Sequence, residues 1–451
     1  MFYTRKLIER TKAALAKPGS LGATLIKGAA GTAGIKAAHA AIAFATSVAM
    51  AKLLGPAGYG VFSYALALVA LLSIPSELGV PNLAVREIAV ANARKNWAQM
   101  KGFIVWAHTT VAITSAALMV IGSAVLLTWG HHLTPSKAAC LWLGLLLVPM
   151  LSLGALRDAM LRGLRKVLLG QLPQPIIRPL ALLIMLAVLW WLGTDLSAPE
   201  KLMQLHILSV GIGFAFGFFF FLRLKPSELR GAAREYKSSI WLKSSIPFGM
   251  TAALQLINGR TDIIVLGLFR TDAEIGVYRV AAQLGATVIF AMQAINVVQG
   301  PHIAHLYAQG DMKKLQHMIT RSAQAVLLFA FPVVFVIVLF GEHLITVIYG
   351  SAYQAAYLPL VILCAGQLVN AAMGAVGSLL NMTGHERDTM RSVLIAAILN
   401  IVLSFTLIPM LGNIGAAIAT ACTLSAWNFL MWRKVRERIG IESSPLFRRL
   451  K

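Results

Sequence analysis

The sequence predicts an all-α polytopic membrane protein of about twelve transmembrane helices with both termini cytoplasmic. Three observations predict it. First, 58% of the 451 residues are hydrophobic and only 13% are charged, where a soluble domain carries roughly a quarter charged. Second, apolar runs close to the ~20 residues that a helix needs to cross the hydrocarbon recur along the whole chain. Third, the basic residues alternate between the connections in the way that membrane orientation demands. With the N-terminus inside, 33 of the 40 Lys and Arg fall on inside segments and three, Lys137, Lys201 and Arg270, on outside connections. Adding or dropping one span would invert half of these connections and destroy the positive-inside pattern.

The predicted spans are about 31–54, 60–80, 102–129, 138–156, 176–193, 202–222, 244–269, 276–300, 321–341, 357–381, 392–409 and 414–432. The first is rich in Gly and Ala (Gly31, Gly34, Ala37, Ala38, Ala40, Ala41), which permits close helix approach. The second and eighth carry charge and are the least apolar. Pro75, Pro149, Pro247 and Pro332 lie in or at the ends of spans and permit bends. Residues 1–30 read as a basic cytoplasmic N-terminus, its first 17 residues either a helix lying on the inner leaflet or a basic tail. Residues 31–222 form a first lobe of six helices, 223–243 a basic cytoplasmic linker, 244–432 a second lobe and 433–451 a basic cytoplasmic tail. No connection is long enough for a soluble catalytic domain.

A net charge of +23 first suggests nucleic acid, but the charge sits in short segments between apolar runs, where anionic lipid headgroups meet it. Cys140, Cys364 and Cys422 are scattered in apolar runs and form neither a disulfide framework nor a metal site. No HExxH, no P-loop and no other enzyme signature is present, so no cofactor and no metal is expected. Gly211, Gly213 and Gly217 lie inside an apolar span that ends Phe218–Phe221 and are not a dinucleotide loop.

An internal repeat organises the chain. At an offset of 216, Gly60, Val61, Ala65, Leu68 and Ala70 meet Gly276, Val277, Ala281, Leu284 and Ala286. Six spans separate the copies, so both have the same orientation. This predicts two six-helix lobes related by an axis along the membrane normal, with a substrate site between them.

Charge inside a span is costly unless it faces water, a partner or a substrate. Arg260 and Asp262 are the deepest, and two residues apart on a helix they cannot face the same way. Arg260 is read as facing the cavity and binding phosphate. Asp262 is either its tether through a neighbouring helix or a cation or proton site. Lys36 either snorkels to the inner headgroups or stands as a cation in the cavity, with His39 less than a turn away. Arg279 either snorkels outward or adds to that charge. Glu77 either caps or pairs with a basic loop residue, or takes part in ion coupling. His108 and His206 read as interhelical hydrogen bonders. Lys36, Arg260 and Arg279 against Asp262 leave the interior positive, which draws an anionic headgroup. Asn296, Gln255, Gln293 and Trp106 are candidates for holding sugar or lipid.

The segments Lys52-Leu-Leu-Gly-Pro-Ala-Gly-Tyr-Gly-Val-Phe62 and Glu77-Leu-Gly-Val-Pro-Asn-Leu-Ala-Val-Arg-Glu87 resemble the polysaccharide transport family, the O-antigen and capsule flippases of the multidrug/oligosaccharidyl-lipid/polysaccharide exporter superfamily. Arg260-Thr-Asp262 with Gly276-Val-Tyr278, Tyr349-Gly-Ser-Ala-Tyr353 and Ile408-Pro-Met-Leu-Gly-Asn-Ile-Gly-Ala-Ala417 extend the likeness over about 28–432. The resemblance implies two lobes in a V and a cation-lined central cavity. It implies a non-enzymatic flippase in the bacterial inner membrane, moving an undecaprenyl-pyrophosphate-linked oligosaccharide, an O-antigen or exopolysaccharide repeat unit, to the periplasmic leaflet by alternating access. The expected partners are that lipid-linked oligosaccharide, anionic membrane lipids and other polysaccharide assembly proteins, with no nucleic acid. A cation-coupled multidrug exporter and a lipid-II-type flippase are the alternatives within the same superfamily.

Overall fold

The computed structural model describes residues 21–288 and 290–445, and among these every regular element is helical. In chain order they are α1 (Leu21–Glu77), α2 (Val80–Ala93), α3 (Trp97–Trp129), α4 (Pro135–Gly163), α5 (Val167–Gln171), α6 (Arg178–Trp191), α7 (Pro199–Leu224) and α8 (Ser238–Phe269). Then follow α9 (Asp272–Gly285), α10 (Phe290–Ala308), α11 (Met312–Tyr349), α12 (Tyr357–Met373), α13 (Val376–Met382) and α14 (Glu386–Ile439). The interfacial helix considered for the first 17 residues lies outside the described residues.

Nine stretches among the described residues are long and apolar enough to cross a membrane. Two of them each contain two of the predicted spans. α1 is broken at Gly55 (φ 65°) and α14 at Gly412 (φ 58°), conformations that glycine adopts without steric cost. The limbs of α1 lie side by side, since the Ser47 hydroxyl is 2.8 Å from the Tyr59 hydroxyl across the break. The predicted span 276–300 is interrupted between α9 and α10, and 357–381 at Gly374 (φ 75°) between α12 and α13. Several helices run past the apolar stretch that predicted them. α3 begins at a capped Asn96, whose side chain accepts from the Gln99 amide (3.0 Å), and α11 at Asp311, which accepts from the Lys314 amide (3.0 Å). Capping sets these ends, whereas hydropathy marks only where the hydrocarbon stops.

The outer surface is apolar. Leu127, Trp191, Leu328 and Met410 are each at least 75% exposed, a surface suited to lipid and hazardous in water. Inside, one core cluster spans both halves of the chain and contains Tyr59, Phe62, Ile275, Tyr278, Tyr349 and Tyr353. Two further clusters are separate. One gathers α2, α3 and α4 with Trp241, and the other gathers α10 through α14. The two halves of the chain share a core around the Gly55 break, and away from it the apolar side chains gather into two clusters, the first of which also takes in Trp241 and Phe248 of α8.

The joint at the Gly55 end is made of backbone. A Cβ on Gly60 would overlap the Asp272 carbonyl and lie 3.0 Å from the Gly276 nitrogen. A Cβ on Gly276 would overlap the Pro56 carbonyl and lie 3.1 Å from the Gly60 nitrogen. The offset of 216 that pairs Gly60 with Gly276 also pairs Pro56 with Asp272, so the contact is its own reciprocal, as a two-fold interface requires. Around it, Lys137 of α4 is buried, 2.8 Å from Asp272 and 4.4 Å from the centre of the Tyr64 ring. It stands in the first turn of α4 rather than in a loop, and it clamps the two halves together. The Tyr353 hydroxyl donates to the Ala51 carbonyl at 2.8 Å. At the other end of α1, Gly79 (φ 73°) sets the Leu78–Gly79 turn directly against Ser245 and Gly249 of α8.

The region expected as a basic tail begins as helix. α14 continues to Ile439, Gly440 ends it in the left-handed conformation, and Ile441, Ser443 and Ser444 are buried. Gln316 exchanges two hydrogen bonds with the Glu442 backbone (2.7 and 2.9 Å), and the Ser443 hydroxyl donates to the Met373 carbonyl (2.8 Å). This strap crosses the α12–α13 break.

Candidate functional site: an arginine-lined cavity

A cavity of about 180 Å³ lies between the two halves and is lined by Arg178, Arg260, Arg279 and His39, with Gln283, Tyr59 and Ser47 among the polar walls. Arg260 comes from the middle of α8 and Arg279 from α9. Arg178 is the first residue of α6, after a π-helical turn at Pro173–Ile177. That turn is rich in proline, which withholds backbone N–H groups and disfavours a regular helix. Its Pro175 carbonyl lies 2.8 Å from His39 Nδ1, which ties the turn to α1. His206 lines the same cavity and meets the Phe62 ring edge to face at 5.7 Å. Among the described residues none of the three arginines is in an ion pair.

Asp262 does not tether Arg260. It is buried on another side of α8, where the Tyr278 hydroxyl donates to one carboxylate oxygen and the Ile263 amide to the other (2.8 Å). The Tyr278 hydroxyl also lies 3.3 Å from Thr420 Oγ1, so Asp262 anchors α8 to α9 and α14. Arg260 is thereby left to the cavity, consistent with the turn of roughly 200° between residues two apart.

Lys36 and Glu77 sit in an adjoining chamber of about 440 Å³, with Asp158, Arg162 and Gln174, and His39 lines both spaces. Lys36 is exposed there, and Glu77 is half-buried without an ion-pair partner among the described residues. Asp158 is 3.3 Å from Arg157, which is almost wholly buried, donates to the Phe214 carbonyl and stacks 4.9 Å over the Phe214 ring. The structure thus gathers Arg260, Arg279 and His39 in one cavity and Lys36, His39 and Glu77 in its neighbour, and leaves Asp262 out of both.

Sequence reasoning missed Arg178. Arg178 stands where the predicted span 176–193 meets the inside basic segment 157–178, and its charge suits that segment as well as the span. The signal that marks it is a basic residue at the mouth of an apolar run rather than several residues before it. His108 bonds the Ile104 carbonyl of its own helix (2.8 Å) rather than another helix. Trp106 packs against Phe103 and Trp241, away from the cavity. Gln255 and Gln293 are exposed. Among the described residues no group of three His, Cys, Asp or Glu could hold a metal ion.

Next to the arginine cavity runs a largely apolar groove of about 420 Å³, between α1 (Ala37, Ala41, Phe44), the α9–α10 break and Phe329 of α11. Gln283 belongs to both spaces.

Comparison with known proteins places the chain among membrane transporters. A family model described as polysaccharide biosynthesis protein matches residues 25–306, and one described as MatE matches residues 247–406. Two proteins of Haloferax volcanii are similar. The probable low-salt glycan biosynthesis flippase Agl15 is 24% identical over 164 residues, 36% of this chain and 35% of that protein. The probable flippase AglR is 30% identical over 181 residues, 40% of this chain and 38% of that protein. The match thus spans little more than a third of either relative. In fold, the inward-facing structure of a multidrug resistance MATE family transporter of the MOP superfamily covers 89% of this chain and 94% of its own, with TM-score 0.69 and 13% identity. The lipid II flippase MurJ in an inward closed conformation covers 89% and 86%, with TM-score 0.69 and 14% identity. With a family model matched over more than half its length and this fold, the chain belongs to the polysaccharide biosynthesis protein family of the multidrug/oligosaccharidyl-lipid/polysaccharide exporter superfamily.

Proposed function

We propose that the protein is a flippase that carries a lipid-linked oligosaccharide, by its phosphate-bearing polyprenyl head, across the membrane by alternating access. The observation that carries this reading is the set of three arginines, without ion-pair partners among the described residues, that line one cavity between the halves. Guanidinium forks match phosphate oxygens in bidentate fashion, and a cation in a low-dielectric wall is stable only when water or an anion meets it. In this scheme Arg178, Arg260 and Arg279 hold the phosphate, and the groove beside Gln283 takes the start of the lipid chain. Lys36 draws the head in from the adjoining chamber. An inside-negative potential favours outward movement of an anion by about 2.3 kcal/mol per charge per 100 mV, so no nucleotide is required. Glu77 is the candidate for any coupled proton or cation.

The proposal includes twelve spans in two like-oriented lobes with both termini cytoplasmic. Counting the limbs about Gly55 and Gly412 separately, and α9–α10 as one broken span, supports that number. The reciprocal Gly60–Gly276 contact supports the lobes. The loop charges then put the Gly55 end on the outside. In a bacterium this is the inner membrane and the cargo an O-antigen or exopolysaccharide unit on undecaprenyl pyrophosphate. The similar Haloferax proteins carry the same reading to an archaeal membrane.

The test measures translocation of a fluorescent polyprenyl-pyrophosphate oligosaccharide in proteoliposomes. Arg260→Ala, Arg178→Ala and Arg279→Ala at equal protein level should each slow it at least tenfold, with Lys in place of Arg restoring part of the rate. Undiminished transport in all three would remove the cavity from the function. The MatE match over 247–406 favours a cation-coupled drug exporter as the second reading. Expulsion of cationic dyes without glycan transport would establish it.

A further inference from the structure

A second polar space, inside the C-terminal half, is not used by the scheme above. It measures about 290 Å³ and lies between α10, the α12–α13 break and α14, lined by Asn296, Gln367, Asn370, Asn428 and Trp427. A recess of about 10 Å³, room for a single water, shares Asn296 and the Gly374–Ala375 break with it and has Gln299 in its wall. Gln299 is 5% exposed, yet among the described residues neither its Oε1 nor its Nε2 has a hydrogen-bond partner, and Asn296 Oδ1, which lines both spaces, has none either. Unpaired buried amides cost free energy unless a guest completes them. The Asn370 amide nitrogen donates to Gln367 Oε1 (3.2 Å) and the Asn428 amide nitrogen to the Leu424 carbonyl (2.8 Å).

The chemistry of the lining selects the guest. Among the described residues no Lys, Arg, Asp or Glu lines either space, so neither an anion nor a cation finds a countercharge among them. A cation needs acceptors and an anion needs donors, whereas amides offer both on one side chain. A hydroxyl group likewise donates and accepts. Trp427 adds a flat apolar face, against which the C–H face of a sugar ring can lie while its hydroxyls meet the amides. The volume, at the low end for ligand pockets, suits one ring rather than a whole oligosaccharide.

We infer that this amide pocket is a binding site for a neutral sugar ring, separate from the arginine cavity. That its guest belongs to the carried oligosaccharide rests on the flippase reading, and it makes the pocket a determinant of which glycan is accepted. The experiment uses the full chain in nanodiscs and the methyl glycosides of glucose, galactose, mannose and N-acetylglucosamine, followed by saturation-transfer NMR. At least one glycoside should bind the wild type. Its affinity should fall about tenfold in Gln367→Met, the loss of one polar partner in the pocket wall, and in the more buried Asn370→Leu. The exposed Thr406→Val should leave it unchanged. Gln367→Met keeps the test alive if Asn370→Leu does not fold. Absence of glycoside binding by the wild type, wild-type affinity in both pocket variants, or radioactive sodium bound in place of sugar would overturn the inference. Thermal protection by polyprenyl pyrophosphate lacking sugar reports the arginine cavity alone. Loss of that protection with sugar binding intact would sink the flippase reading and spare the amide pocket.

Discussion

The backbone joint at the Gly55 end makes a sharp prediction for Gly60→Ala. The added methyl collides with the Asp272 carbonyl, and the next nearest atoms are the Asp272 carbon and the Gly276 nitrogen, all main chain. Main-chain atoms of two packed helices cannot turn aside as a side-chain tip can, so α1 and α9 must separate by roughly 1.5 Å for normal contact, an overpacking that costs about 1–3 kcal/mol. The cost falls only on conformations in which the two halves meet at this end. A bias of that size changes a two-state ratio by roughly 5- to 150-fold. The assay is double electron–electron resonance in nanodiscs with nitroxides at Ala57→Cys and Thr271→Cys. Both positions are exposed at this end, and Cys140, Cys364 and Cys422 are replaced by Ala. Gly60→Ala should move population from the short distance to a longer one, and Gly276→Ala should do the same to a similar extent. An unchanged distribution in a well-folded Gly60→Ala protein would refute the claim that this contact holds the halves together.

Three further outcomes are expected. Lys137→Met and Asp272→Asn each strand a partly buried charge, so each should lower the unfolding temperature more than the pair together. The coupling should be about 1–3 kcal/mol in a double-mutant cycle, where simple additivity would disprove the clamp. Tyr278→Phe removes a donor from buried Asp262 and should cost about 1–3 kcal/mol of stability. Thermal unfolding in detergent reads it, and no shift would mean that Asp262 finds another partner. Ile441→Asp places a carboxylate under the C-terminal strap and should destabilise by about 2–4 kcal/mol. An unaltered melting curve would show that the strap contributes nothing to the packing of α11 on α12.

The fold was legible where a single physical rule acted alone. Length, hydropathy and loop charge mark where apolar helices stand, and the Gly60–Gly276 repeat is visible as a pattern. That the two glycines touch one another was not legible, because offset reveals equivalence and says nothing of proximity. Arg260 and Arg279 could be read as interior charges because an ion in the middle of an apolar run has few alternatives. Arg178 and Lys137 stand at the margins of runs, where the same charge suits a loop equally well. Only tertiary packing draws the first into the cavity and the second onto Asp272. The partner of Asp262 was out of reach for a related reason. Tyr278 lies 16 residues away on the next helix, and only its rotation about that helix brings the hydroxyl to the carboxylate. The breaks at Gly55 and Gly412 fall where the sequence places turns. Those after Gly285 and at Gly374 interrupt predicted spans, since hydropathy does not report backbone geometry.

The wall of guanidinium groups around the central cavity has a consequence for the carrier between journeys. Among the described residues no carboxylate forms an ion pair with Arg178, Arg260 or Arg279. Under the proposed function, small anions from solution occupy the empty cavity, loading is an ion exchange in which the incoming phosphate evicts chloride or its like, and apparent affinity weakens as salt rises. On the same proposal the unladen protein returns with those counterions aboard, and the charge moved per cycle is smaller than a count of cargo phosphates alone would suggest.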